Sequence, residues 1–110
     1  MRNKHPQHYT QQKLALDQHL LDTLKSLGIV ASIADLNRQL LRNRTYFACM
    51  KNRGYSLHVG SLVFLLTKLS HELNAESCVR ERAKLRSAIA AINETIQAKC
   101  RIREQELLAR

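Results

Sequence analysis

The chain has few of the residues that make tight turns: its 110 residues include one proline and three glycines. Because β-sandwiches and β-barrels need turn residues at short intervals, this scarcity argues against an all-β protein and predicts an all-α fold. Hydrophobic residues make up 45% of the chain and charged residues 25%, the balance of a folded globular protein. The length allows one domain, or one small domain with an appendage.

Sequence signatures of enzymes and metal sites are also missing. The chain has no Gly-rich phosphate loop, no GxSxG and no HExxH. Cys49, Cys78 and Cys100 form no CxxC pair, and we interpret them as small packing residues in a reducing compartment. His5 and His8 belong to a polar tail rather than to a ligand cluster. We therefore expect no enzymatic activity, no metal, no cofactor and no small-molecule ligand.

Long hydrophobic runs are absent too. The longest, Leu62–Leu66, is about one and a half helical turns, whereas a membrane span needs roughly 20 apolar residues. The first nine residues lack the apolar core of a secretory signal, and the chain has no tryptophan to anchor it at a membrane surface. The sequence therefore predicts a cytoplasmic protein without a membrane partner.

Positive charge is abundant and unevenly placed. Eighteen Lys and Arg against nine Asp and Glu give a net charge of +9, which favours a polyanionic partner such as nucleic acid. Between Leu36 and His71 there are six basic residues and no acidic one. The last third of the chain mixes both signs, as the surface of a solvated helix does. The informative charge is therefore in the middle of the chain.

The hydrophobic pattern divides the chain into three parts. Residues 1–9 are polar, basic and without periodicity, which predicts a flexible arm. Residues 10–74 contain four short helical patterns that must share one core, because none is long enough to be stable alone. Residues 75–110 lack Gly and Pro and predict one long helix.

Capping residues set the expected helix boundaries in residues 10–74. Thr10 is expected to cap the first helix and Gly28 to end it. Ser32, with Asp35 three residues later, resembles a capping box for a second helix over 33–41. A third helix over 44–53 is expected to end at Gly54, and a fourth to be capped by Ser56 or Ser61. The apolar positions expected to be buried are Leu24, Ile33, Leu36, Leu40, Phe47, Met50, Leu62, Leu65 and Leu69.

The long C-terminal helix carries an apolar seam. Leu85, Ile89, Ile92 and Ile96 are spaced by four, three and four residues, which is the heptad spacing of paired helices. We interpret this seam as a homodimer interface. The alternative is a helix that folds back along its own domain.

The run from Ser32 to Gly54, with the leucine-rich stretch 59–73, resembles the helix-turn-helix of Cro and phage-repressor proteins. The matching positions are Leu36 and Leu40 in the first motif helix, Phe47 and Met50 in the recognition helix, and Gly54 after it. The chain departs from the family at Asn37, where alanine is usual, and at Leu41 and Arg42, where the turn usually has glycine. Its spacing also indicates one extra residue near the turn.

This resemblance implies that the helix 43–53 enters the major groove of double-stranded DNA. Side chains suited to base edges or phosphates surround it. The implied base readers are Asn43, Arg44, Thr45 and Ala48; the implied phosphate contacts are Arg38, Arg42, Lys51 and Arg53; and Asn52 suits either role. We therefore expect a small dimeric regulator of a bacterial or phage operon, such as a repressor. The alternative is an adaptor or antirepressor that binds a protein through its long helix.

Overall fold

The computed structural model describes residues 6–40 and 56–109. Within these ranges the chain forms helices and no strand, which confirms the all-α prediction. The described helices are α1 (Pro6–Ser26), α2 (Ile33–Gln39), α3 (Val59–Ala75) and α4 (Val79–Leu108).

Helix α1 begins earlier than its capping pattern predicts. Its first residue is Pro6, a residue type whose fixed φ and missing N–H suit the first helical position. The prediction of a start at Thr10 is therefore wrong, and the last part of the expected arm, residues 6–9, belongs to the helix. Tyr9 is buried in the fold. Residues 1–5 of that arm lie outside the described residues.

The connection from α1 to α2 follows the predicted signals. Gly28 has φ +76°, the left-handed conformation expected of a glycine after a helix end. Ser32 Oγ accepts a hydrogen bond from the Asp35 N–H at 3.1 Å, and Asp35 Oδ2 accepts one from the Ala31 N–H at 2.8 Å. The N-cap at Ser32 is thus confirmed, but the return bond of a capping box differs, since Asp35 accepts from the N–H of Ala31 and not from that of Ser32. The expected burial of Ile33 is wrong, because its side chain is 40% exposed.

Helices α3 and α4 form a hairpin with a short turn. Helix α3 starts after His58, which makes no side-chain cap, so the prediction of a Ser56 or Ser61 cap is wrong; Ser61 is buried inside the helix. At the other end, Arg82 Nη1 of α4 donates to the carbonyl oxygens of Leu73, at 2.7 Å, and Glu76, at 2.8 Å. A side chain of α4 therefore binds carbonyls at the α3 C-terminus, where Leu73 also accepts from the Glu76 N–H at 3.3 Å.

The core lies where α4 packs between α1 and α3. Ion pairs and hydrogen bonds join the beginnings of α1 and α3 to the last part of α4, so both helices run antiparallel to it. Leucines supply most of this core because α1 and α3 carry them at intervals of three and four residues, whereas α4 contributes Leu85 with Ala88 and Ile92. The buried core residues are Leu20, Leu21, Leu24, Val30, Leu36, Leu40, Leu57, Leu62, Leu65, Leu69, Leu85, Ala88 and Ile92.

The seam that was expected to pair two chains is part of this core. Leu85 and Ile92 are buried, and Ile89 and Ile96 are partly buried against the same cluster. The interpretation of these four residues as a dimerisation surface is therefore corrected: the seam packs within the chain. The folded-back alternative is observed, because α1 and α3 present the leucines that an apolar seam requires.

Candidate nucleic-acid interface

Residues 41–55, which we call the basic segment, contain most of the predicted DNA contacts and lie outside the described residues. The segment has four basic residues and no acidic one. The predicted site residues within it are Arg42, Asn43, Arg44, Thr45, Ala48, Lys51, Asn52 and Arg53, and the expected core residues Phe47 and Met50 and the helix-ending Gly54 also belong to it. The described structure shows how the chain is held on either side of this segment.

The N-terminal end of the basic segment follows α2. Leu40, the C-cap of that helix, is buried, so the residue directly before the segment belongs to the core. Asn37, the departure from the family pattern, is also fully buried. In addition, Gln39 Nε2 donates to the Ile29 carbonyl at 3.0 Å, which ties α2 to the preceding loop.

Arg38 is the predicted DNA contact that the structure describes. Its side chain is 80% exposed and forms an ion pair with Asp35 one turn earlier on α2. The hydrogen bond from the Ala31 N–H, and then the Arg38 guanidinium, hold the pKa of Asp35 below its ordinary value. The Asp35 carboxylate therefore serves the helix cap and also orients an exposed arginine beside the basic segment.

The C-terminal end of the basic segment is held by a buried ion pair. Leu57 donates its N–H to Asp17 Oδ2 at 2.9 Å, and its carbonyl accepts from Lys99 Nζ at 2.8 Å. Asp17 Oδ1 and Lys99 Nζ are themselves 2.5 Å apart. One carboxylate of α1 and one ammonium of α4 thus bind both backbone groups of the residue that follows Ser56.

Burial dominates the electrostatics of this pair. The side chains of Lys99 and Asp17 are 3% and 2% exposed. Burial raises the pKa of Asp17 against the opposing effect of Lys99, and it lowers the pKa of Lys99 against the opposing effect of Asp17. Such a pair contributes little net stability, but removing one partner leaves an uncompensated buried charge. Its clearest structural result is the fixed backbone of Leu57.

Neither residue of this pair is among the predicted site residues, although the sequence carries a signal for both. Asp17 lies three residues after Leu14 and four before Leu21, on the apolar face of α1. Lys99 lies three residues after Ile96, on the seam of α4. A single charge on each of two apolar faces indicates that the two charges pair in the core.

Other candidate chemistry finds no support in the part of the chain that the structure describes. Cys78 and Cys100 are free and exposed rather than packed, and Cys49 belongs to the basic segment. Residues 6–40 and 56–109 contain no group of three His, Cys, Asp or Glu side chains placed to hold a metal ion. None of the described helices combines the length and the apolar character that a membrane span requires.

No protein-family model, no curated protein and no solved structure matches this chain.

Proposed function

We propose that this protein binds double-stranded DNA in a sequence-specific manner through the basic segment, as a small cytoplasmic helix-turn-helix regulator of a bacterial or phage operon. The observation that carries the proposal is the anchoring of an acid-free segment at both ends. Leu40 is buried on one side, and Leu57 is buried and hydrogen-bonded to Asp17 and Lys99 on the other. Four basic residues lie in the sequence between these two buried residues.

Fixed residues on both sides of the segment matter for recognition, because basic side chains that are not held in place bind phosphates without reading the base sequence. Base readout needs a side chain held in register with the groove. The N-terminal cap of α2 and the buried pair at Leu57 supply such a frame on the two sides of the segment. Arg38, which is exposed three residues before the segment begins, adds a further basic side chain close to it in the sequence.

The adaptor alternative required an exposed apolar seam on the long helix, and this seam is packed within the chain. Its partner was expected on the apolar stripe of the long helix, and that stripe packs against α1 and α3. A homodimer on a two-fold operator remains part of the proposal, with the pairing made through surfaces other than the seam of Leu85, Ile89, Ile92 and Ile96. Sedimentation of the protein with and without its selected duplex measures this stoichiometry.

Selection of bound fragments from random duplex DNA tests the proposal. We expect enrichment of a defined sequence, and Arg42→Ala with Arg44→Ala should weaken binding to it at least tenfold. The matched control is Arg80→Ala with Arg86→Ala, which removes the same charge from two exposed positions of α4. No enrichment, or equal losses in the two double variants, would contradict sequence-specific binding through the basic segment.

A further inference from the structure

A solvent-open cavity of about 300 Å³ lies beside the C-terminal end of the basic segment. It is formed by the first turns of α1, the start of α3 and the last part of α4. The polar residues that line it are Thr10, Lys13, Ser56, His58, Lys99 and Arg103. Three basic side chains from two helices therefore converge on one cavity.

The seam of α4 explains why these residues meet. After Ile96 the spacing of three and four residues continues through Lys99, Arg103 and Glu106. On α1 the same spacing runs from Thr10 through Lys13 and Asp17 to the buried leucines. The α1–α4 interface is thus apolar over most of its length and polar and charged at one end, where the cavity opens.

Positive charge is in excess at this end. Lys13 pairs with Glu106 at 2.6 Å, and Lys99 pairs with Asp17. Arg103 is exposed and makes no ion pair within the described residues. The positive charge of Lys13 also contributes, after burial, to the lowered pKa of Lys99, so two of the cations repel each other across this region.

Hydrogen-bond donors are available beside these charges. An ammonium group has three N–H bonds; Lys99 donates one to the Leu57 carbonyl, and its Nζ forms an ion pair with Asp17 Oδ1. Helix α3 starts at the cavity wall with Val59, and its N-cap His58 provides no side-chain cap. The first N–H groups of that helix and its dipole therefore favour a negative ligand at the same place.

We propose that this cavity binds a phosphate group, with Arg103 as its main charged contact and with Lys99 and the start of α3 as hydrogen-bond donors. The assignment of that phosphate to the DNA backbone rests on the proposed function, because the cavity adjoins the end of the basic segment. A backbone phosphate seated here fixes the register of the recognition segment on the duplex. A free phosphate ion offers the same chemistry, so the two sources are separated by experiment.

The test uses the full chain and two probes, inorganic phosphate and the selected duplex. We expect phosphate to shift the backbone amide NMR signals of Val59 and Gly60 with saturation, and Arg103→Gln should weaken this binding at least fivefold. Arg101→Gln is the matched control, since Arg101 is an exposed arginine of the same helix that does not line the cavity. On the duplex, Arg103→Gln should reduce the slope of log K against log salt by about one, and Arg101→Gln should leave it unchanged.

The phosphate titration and the duplex measurement test different parts of the proposal, and each can contradict its own part. Phosphate binding that depends on Arg103, with an unchanged duplex slope, supports the cavity and assigns it to a free phosphate rather than to the DNA backbone. If the protein binds no duplex at all, the phosphate titration still tests the cavity by itself. Unshifted Val59 and Gly60 signals, or equal effects of Arg103→Gln and Arg101→Gln on the phosphate titration, would overturn the proposal.

Discussion

The basic segment is held at its two ends by different physics. Its N-terminal end follows α2, a seven-residue helix whose N-terminal cap and Asp35–Arg38 pair lie at the surface. Its C-terminal end precedes Leu57, whose two backbone groups are bound by the buried Asp17 carboxylate and the buried Lys99 ammonium. We call the first group, Ser32, Asp35 and Arg38, the surface anchor, and its contacts are weak and are modified by salt and acid. We call the second group, Asp17, Leu57 and Lys99, the buried anchor, and loss of one of its two charges leaves the other buried without a partner.

The largest effect is expected at the buried anchor. Lys99→Met should lower the free energy of unfolding by about 3–5 kcal/mol, because the Asp17 carboxylate then stays buried without its partner. Urea denaturation measures this loss. Arg101→Met, at an exposed position two residues further along α4, is the control and should change stability by less than about 0.5 kcal/mol. A Lys99→Met loss below about 1 kcal/mol would show that the pair does not behave as a buried one.

Replacement of both charges separates stability from positioning. Asp17→Leu with Lys99→Met should recover part of the loss, because no uncompensated charge remains, while the backbone groups of Leu57 still lack partners at a cost of about 1–3 kcal/mol. We expect this folded double variant to bind its selected duplex about tenfold more weakly, or about 1.4 kcal/mol. Wild-type affinity in the double variant would mean that the pair does not position the basic segment.

A smaller effect is expected at the surface anchor. Ser32→Ala removes the acceptor for the Asp35 N–H and should cost about 1 kcal/mol of unfolding free energy. Ser87→Ala, at an exposed position inside α4, provides the comparison, and it should be neutral or slightly stabilising because alanine favours a helix interior. Equal effects of the two substitutions would argue against the cap.

The two aspartates should respond to pH with opposite signs. The pKa of Asp35 is lowered from 3.8, so its contribution to stability is present above that pH and is lost as the pH falls through the lowered value. The pKa of Asp17 is raised from 3.8, so the folded state keeps this proton at a higher pH than the unfolded state does. The stability that this proton binding contributes is present below pH 3.8 and is lost as the pH rises through the raised pKa. A carboxyl ¹³C NMR titration should place the midpoint of Asp35 below 3.8 and that of Asp17 above it. The reverse order would contradict the assigned environments.

The sequence predicted the features that depend on local chemistry. The cap at Ser32, the helix end at Gly28 and the buried leucines of α3 follow from side-chain type and spacing, and the structure confirms them. The partner of an apolar face is not a local property. The seam containing Ile92 has the same spacing whether it meets another chain or α1 and α3, so spacing alone did not identify its partner.

The buried anchor was missed for a related reason. Leu57 and Asp17 are 40 residues apart, and Leu57 and Lys99 are 42 apart, so nothing in either neighbourhood specifies the contact. Asp17 and Lys99 each interrupt an apolar face, which marks them as partners of something buried. Only the fold shows that they pair with each other and with the backbone beside the basic segment.

The salt dependence of duplex binding tests the central claim most directly. With about five phosphate contacts per subunit, log K for the selected duplex should fall linearly with log salt with a slope between about −4 and −5. Arg42→Ala with Arg44→Ala should make that slope shallower by about one, because Arg42 is an implied phosphate contact and Arg44 an implied base reader. A flat salt response of the wild-type protein on its best duplex would contradict DNA binding through the anchored basic segment.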